Sequence, residues 1–223
     1  MLHALFICIV LSTFATVATM TAAQPLPASG PFATRQQALK ATLHPEPAVR
    51  RAGVMRLGEV GTMTDSDRLV DRLRDDDAPV RQLAEAALWQ LWSRSGDRAI
   101  DALLLRGLQQ MEAAQLVEAL ATFSEIVRKK PAFAEGWNKR ATVYYLLGRY
   151  ELSMKDCDQV LKRNRKHFGA LSGYGQIHLA KGDIERAQPY FERALTVNPN
   201  MAGVAATLGL IEQAREQRRR NTI

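Results

Sequence analysis

Residues 114–123 read AQLVEALATF, residues 148–157 read GRYELSMKDC and residues 182–191 read GDIERAQPYF. The three stretches stand 34 residues apart, and the same step continues on both sides of them. Ala119, Ser153 and Ala187 share one position, and Phe123, Cys157 and Phe191 share another. Upstream, Gly107, Ala141 and Gly175 align, as do Leu103, Trp137 and Leu171. Downstream, Pro131 and Pro199 stand two steps apart with Arg165 between them. Ala114, Gly148 and Gly182 fall where one helix of each unit is expected to end. The small residues let two helices approach closely, the large ones fill gaps between neighbours, and proline stops a helix. A helix pair of this kind cannot bury its apolar face alone, so about three units are needed for stability. On this reading Trp137 is wedged between helices of adjacent units, and its loss costs about 3–5 kcal/mol.

The pattern resembles the tetratricopeptide repeat family, whose signature is W-x₂-L-G-x₂-Y…A-x₃-F…P over about 34 residues. The resemblance covers Ala99 to Asn200, and Leu208-Gly209 continues Tyr174-Gly175 into a partial unit. Arg106 and Arg140 stand where the pattern has Leu, and His178 where it has Tyr. The resemblance implies an all-α fold, an α-solenoid of antiparallel helix pairs. Three tetratricopeptide units precede a capping helix over Met201 to Arg219, which ends in QAREQRRR.

A different repeat precedes it. Pro47-Ala48-Val49-Arg50-Arg51 returns as Ala78-Pro79-Val80-Arg81-Gln82, a step of 31, and Leu57/Leu88 and Leu39/Val70 share that step. Asp76-Asp77 places acid at a helix start, and proline suits the first turn. These two units resemble short HEAT-like repeats, including those of the phycobilin-lyase type. With no Gly/Ser linker and a single Ser95-Gly96-Asp97 turn between the segments, a continuous solenoid is expected.

No Lys, Arg, Asp or Glu precedes Arg35, and Ala4 to Leu11 reads ALFICIVL. A weaker apolar run continues to Ala18, and Thr19-Met20-Thr21-Ala22-Ala23 follows. This resembles a secretory signal cleaved after Thr21-Ala22-Ala23. An uncleaved anchor is the alternative, weakened by the threonines after Ser12. The expected organisation is a signal over 1–23, a Pro-rich linker over 24–31, HEAT-like repeats over 32–96 and tetratricopeptide repeats over 97–223. The expected location is periplasmic or secreted, or membrane-anchored under the alternative. In its 223 residues the chain is 47% hydrophobic and 24% charged, which excludes a disordered chain and a multi-span membrane protein. Two cysteines, Cys8 and Cys157, exclude a disulfide scaffold. The net charge of +7 is a weak pull on anionic partners.

Catalytic signals are weak. Gly169-Ala170-Leu171-Ser172-Gly173 lacks G-x-S-x-G spacing and lies on an expected helix, so it reads as small residues at a helix contact. His44, His167 and His178 are not spaced as metal ligands, and His178 takes a repeat core position. Cys157 reads as a small buried hydrophobe. No cofactor, metal or nucleic-acid partner is expected, and the chain is read as non-enzymatic.

In the resembling family the first helix of each unit lines a groove. Here that face presents Leu104, Leu108 and Met111, then Asn138, Thr142 and Tyr145, then Ser172 and Gln176, positions read as distinct from the core. Asn, Gln and Tyr side chains can hydrogen-bond an extended backbone and supply amphipathic contact. The expected function is docking of a protein or peptide partner in that groove. A second candidate is an anion-binding edge of Lys129, Lys130, Lys162, Arg163, Arg165 and Lys166, although cations at helix C-termini are stabilised without any ligand. The competing readings are a lyase-like or accessory subunit, which requires carboxylates and His44 to converge, and a self-assembling homo-oligomer.

Overall fold

The computed structural model describes residues 32–220, so the expected signal and linker over 1–31 lie outside the described residues. The described residues form eleven α-helices, with one 3₁₀ turn at Met63–Asp65 and no strand among them. They are α1 (Arg35–Ala41), α2 (Pro47–Val60), α3 (Ser66–Arg72), α4 (Ala78–Trp92), α5 (Arg98–Glu112) and α6 (Leu116–Lys129). Then follow α7 (Ala134–Leu146), α8 (Tyr150–Arg163), α9 (Phe168–Ala180), α10 (Ile184–Val197) and α11 (Ala202–Arg220). The fold is an all-helical α-solenoid.

In the first part the 31-residue step reappears as a repeated hydrogen-bond device. Arg50 Nη1 donates to the carbonyls of His44 (3.1 Å) and Pro45 (2.7 Å). Arg81 Nη1 donates to the carbonyls of Asp75 (2.8 Å) and Asp76 (3.1 Å), at the same backward spacing. Each arginine thus satisfies carbonyls left open just before its own helix. Arg50 also grips Asp75 with both arms of the guanidinium, tying one unit to the next. Asp77 caps α4 by accepting from the Val80 N–H (2.9 Å), with Pro79 in the first turn. Leu57 and Leu88, equivalent by that step, are both fully buried.

In the second part the pairs α5–α6, α7–α8 and α9–α10 each bury a small residue against a larger one. A Cβ on Gly107 would stand 2.5 Å from the Phe123 ring, and one on Gly175 would stand 2.5 Å from the Phe191 ring. Glycine is therefore required at both positions. In the middle unit the large partner is Cys157, and the small one is Ala141. The helix-ending turns have φ of 57° at Ala114, 69° at Gly148 and 77° at Gly182. The departures from the family pattern are matched by compensating partners. Arg140 makes a two-armed ion pair with Asp156 (2.7 and 2.8 Å). One repeat later the same two positions hold Tyr174 and Tyr190, stacked at 4.5 Å, and buried His178 stacks on Tyr190 as well. Val204 and Ile211 of α11 close the array against Ala187 and Phe191.

Trp137 departs from expectation. It is only partly buried, its Nε1 donates to the Pro131 carbonyl (2.9 Å), and the guanidinium groups of Arg140 and Arg163 each stand 5.0 Å from its ring. It is not wedged between repeats, because two cations hold its faces.

The first part also turns back onto the third repeat. Phe168, at the start of α9, is fully buried inside the core of the first part, with Val197 and Met201 packed against it. Asn200 Nδ2 donates to the Leu73 carbonyl (2.8 Å), and Arg74 donates to the carbonyls of Thr196 and Val197 (3.2 Å to the latter). Lys166 pairs with Asp67 (2.8 Å). Segments distant in sequence therefore share one apolar core.

Candidate functional site

The first helices of successive pairs, α7 and α9, touch directly, whereas the second helices α8 and α10 meet less closely. The closer spacing marks the inner side of a curved array. On that side Asn138, Thr142 and Tyr145 of α7 face Gly169, Gly173 and Gln176 of α9 across a cavity of about 50 Å³. Ala141, Ser153 and Cys157 form its floor. Four of the residues expected in the groove, Asn138, Thr142, Tyr145 and Gln176, thus meet at one place. Leu104 does not belong with them. It is 4% exposed and sits in the apolar core of the first pair, with Leu108 and Met111 packed against that core. These leucines are consumed by α5–α6 packing, which corrects the expectation that the groove face avoids the core. Ser172 is buried beside the groove and does not line the cavity.

One end of the groove is built around a buried carboxylate. Glu135 is 1% exposed. Its Oε1 lies 3.0 Å from Lys139 Nζ and its Oε2 lies 3.1 Å from His167 Nε2. Asn138 Nδ2 donates to both oxygens at 3.2 Å. His167 Nδ1 accepts the Ala170 N–H (3.1 Å) and caps α9, so the ring proton sits on Nε2 and is donated to Glu135. Burial opposes the charge on Glu135. The Lys139 cation and the His167 hydrogen bond outweigh it and hold the carboxyl at about 2.

Trp89 and Trp92 of α4 cover this cluster. Trp92 stacks on His167, Trp89 meets His167 and Phe168 edge-on, and Lys139 Nζ lies 5.6 Å from the Trp89 ring centre. A Cβ on Gly169 would stand 2.6 Å from Trp89, so glycine there makes room for the indole. Sequence reasoning missed Glu135, His167, Trp89 and Trp92 as neighbours of the groove. Only the Gly169 signal, read as a helix contact, pointed toward them.

The other end is uncharged. Among the described residues, neither the Tyr145 hydroxyl nor the Gln176 amide has a hydrogen-bond partner. Burial raises the Tyr145 phenol, so it stays a neutral donor. Burial also pushes the Cys157 thiol up to about 12, which leaves it a packing residue rather than a nucleophile. Asp156 is held by Arg140, and Asp158 accepts from the Tyr174 hydroxyl. His44 is exposed, accepts the Glu46 N–H (3.1 Å) and does not line the cavity.

The basic edge is largely engaged within the chain. Lys129 pairs with Glu125, Lys130 donates to the Ser95 carbonyl (2.6 Å), Arg163 donates to the Pro131 carbonyl (2.6 Å), and Lys166 pairs with Asp67. Lys162 and Arg165 are exposed.

Residues 15–89 match the HEAT repeats family, and residues 104–168 and 168–201 match tetratricopeptide repeat families. The chain carries HEAT repeats followed by tetratricopeptide repeats. The HEAT match begins within the stretch read as an export signal. A TPR repeat-containing protein of Rhizobium etli is 33% identical over 134 residues, covering 60% of this chain and 66% of that protein. The chain spans a quarter or less of the length of the next curated relatives, among them human RNA polymerase II-associated protein 3, at 24%. Two solved tetratricopeptide structures share the fold. The first TPR of Spaghetti (RPAP3), bound to an HSP90 peptide, has a TM-score of 0.50 at 24% identity, covering 52% of this chain and 93% of that one. The Sgt2 TPR domain of Aspergillus fumigatus has a TM-score of 0.52 at 19% identity, covering 56% of this chain and 83% of that one.

Proposed function

We propose that this chain is an exported, non-enzymatic interaction module whose tetratricopeptide groove docks an extended segment of a protein partner. The observation that carries the reading is the uncharged end of the groove. There Tyr145 and Gln176 offer hydrogen-bonding groups without internal partners, beside a shallow cavity. An extended peptide presents backbone N–H and C=O groups that such side chains can satisfy. The cavity of about 50 Å³ is far below the roughly 300–1,000 Å³ of a small-molecule site, which favours a macromolecular ligand over a metabolite. The resemblance to a tetratricopeptide domain that holds a peptide lends the docking mode, but not the partner. Export rests on the charge-free first 34 residues with their apolar run.

The test is capture from the envelope fraction of the native host, with the full chain and its Tyr145→Ala/Gln176→Ala variant as baits. Proteins retained by the first and lost by the second, identified by mass spectrometry, support docking in the groove. Identical retention by both baits rejects it. Intact-mass analysis of the native protein tests export: a start at Gln24 supports it, and retained Met1 rejects cleavage.

A further inference from the structure

We propose that the cavity between α7 and α9 is a specificity pocket, admitting one small uncharged side chain (alanine, serine, threonine or valine) of the segment docked in the groove. This rests on the docking reading above and adds to it a selectivity at one residue of the ligand.

The pocket has a definite origin in the repeat. In the flanking units a phenylalanine fills the space against a glycine, as Phe123 on Gly107 and Phe191 on Gly175. In the middle unit Cys157 replaces the ring and Ala141 returns only one methyl group. Both residues line the cavity that remains. The cavity, of about 50 Å³, is small and suits a side chain of a few heavy atoms.

Gly173 lines the cavity and is partly exposed. The helix α9 carries three glycines, and two of them are explained by packing: Gly169 against Trp89 and Gly175 against Phe191. A Cβ on Gly173 would meet only Cys157 Sγ, at 3.9 Å, an ordinary contact. Glycine inside a helix is unfavourable relative to alanine. Gly173 therefore weakens α9 with no internal neighbour that requires it, and what it does is keep the cavity open.

The lining selects for a neutral occupant. Asn138 is 8% exposed and borders the cavity. Its amide nitrogen is committed to Glu135, while its amide oxygen accepts no hydrogen bond among the described residues. That oxygen can receive a donor from the ligand. Glu135, beside Asn138, is already matched by Lys139 and His167, and Asp156 and Asp158, which flank Cys157, are engaged by Arg140 and Tyr174. A charged side chain in the pocket would be desolvated without a counterion, which is costly. An aromatic one would not fit.

The experiment selects a phage-displayed library of random linear peptides on the full chain, on Gly173→Ala, on Ala141→Gly/Cys157→Phe and on Tyr145→Ala. The double variant installs the pair used by the neighbouring repeats, and circular dichroism checks that its helices are retained. On the unaltered chain the enriched peptides should share one position restricted to Ala, Ser, Thr or Val. Gly173→Ala should raise the melting temperature yet weaken the best peptide by about tenfold, since the added methyl group overpacks a filled site. The filled double variant should lose the restriction. If peptides enrich and depend on Tyr145 but show no such position, or keep it in both pocket variants, the pocket is overturned and the groove stands. If no peptide enriches on the unaltered chain, both readings are overturned. Because Gly173→Ala is a stabilising change, misfolding of the double variant leaves the test intact.

Discussion

The Trp92 indole lies on the His167 imidazole, with ring centroids 4.5 Å apart and ring planes 24° from parallel. One ring belongs to the last HEAT helix and the other to the turn that opens the third tetratricopeptide unit. Trp92 is 3% exposed, and its Nε1 donates to Ser66 Oγ (3.0 Å). Through His167 the contact reaches Glu135 and the charged end of the groove. The HEAT segment thus supports the wall on which Asn138 and Lys139 are set.

Trp92→Ala should therefore act at two places. Its cost should be about 3–5 kcal/mol, as for other large-to-small core changes. Hydrogen exchange on the full chain should accelerate in α3 and α4 and also around residues 164–171, because Phe168 belongs to the same core. Acceleration confined to the HEAT segment would mean that the two parts do not support each other.

Acid should weaken the fold through Glu135. Its carboxyl titrates near 4.5 when unfolded and is held at about 2 when folded. The unfolded chain therefore takes up the proton first as pH falls, and stability rises with pH across that window. The contribution is fully present above about 4.5 and is lost on the way down to about 2; its size is roughly 3 kcal/mol from the shift. Denaturant midpoints measured from pH 7 to pH 3 should fall for the unaltered chain. Glu135→Gln should be less stable at pH 7, and its midpoint should vary less with pH. Equal slopes for the two would contradict the assignment.

Ala114 holds the same left-handed turn as Gly148 and Gly182, with φ of 57°. A non-glycine residue there costs about 1–2 kcal/mol, while glycine loses about 0.4–1 kcal/mol through extra freedom of the unfolded chain. Ala114→Gly should stabilise by up to about 1 kcal/mol, raising the melting temperature by about 2–4 °C. Gly148→Ala should lower it. A lower melting temperature for Ala114→Gly would mean that the turn is not strained.

Trp137 and Phe123 should separate in a substitution series. Phe123 is fully buried, and its change to alanine should cost about 3–5 kcal/mol. Trp137 is partly exposed between two guanidinium groups, each such contact being worth about 0.5–1 kcal/mol at accessible sites. Trp137→Ala should therefore cost about 1–2 kcal/mol. Equal losses by chemical denaturation would return Trp137 to the core.

These residues also show what the sequence made legible. The period of 34 marked Gly107 and Gly175 as close-approach positions, Phe123 and Phe191 as gap-fillers and Ala114, Gly148 and Gly182 as helix ends, because each is a local consequence of helix pairing; the structure adds that each glycine meets that ring and that all three ends are left-handed. Helical spacing put Asn138, Thr142 and Tyr145 on one stripe, and the resemblance to tetratricopeptide repeats implied that this stripe and Gln176 line a groove. Trp137 was misplaced because the period gives a position and not the partners: leucines stand at its equivalent positions 103 and 171, and only here does an aromatic ring meet the guanidinium groups of Arg140 and Arg163. Leu104 was misplaced because apolar side chains serve a groove and a core equally well in sequence. The Trp92–His167 contact was invisible, since no periodicity relates a HEAT helix to a turn in the third tetratricopeptide unit.

Docking in an uncharged groove is distinguished from binding at the basic edge by the salt dependence of partner affinity. The captured partner is titrated against the unaltered chain, Tyr145→Ala and Lys162→Glu/Arg165→Glu at two ionic strengths. With docking in the groove, Tyr145→Ala should weaken binding by about 1 kcal/mol or more, as loss of an aromatic anchor does, while the charge reversal and added salt change little. Exposed charges are screened within about 10 Å at 0.1 M salt, so binding at the basic edge would respond oppositely. Affinity that ignores Tyr145→Ala and collapses with salt or on reversal of Lys162 and Arg165 would contradict the groove and assign binding to the edge.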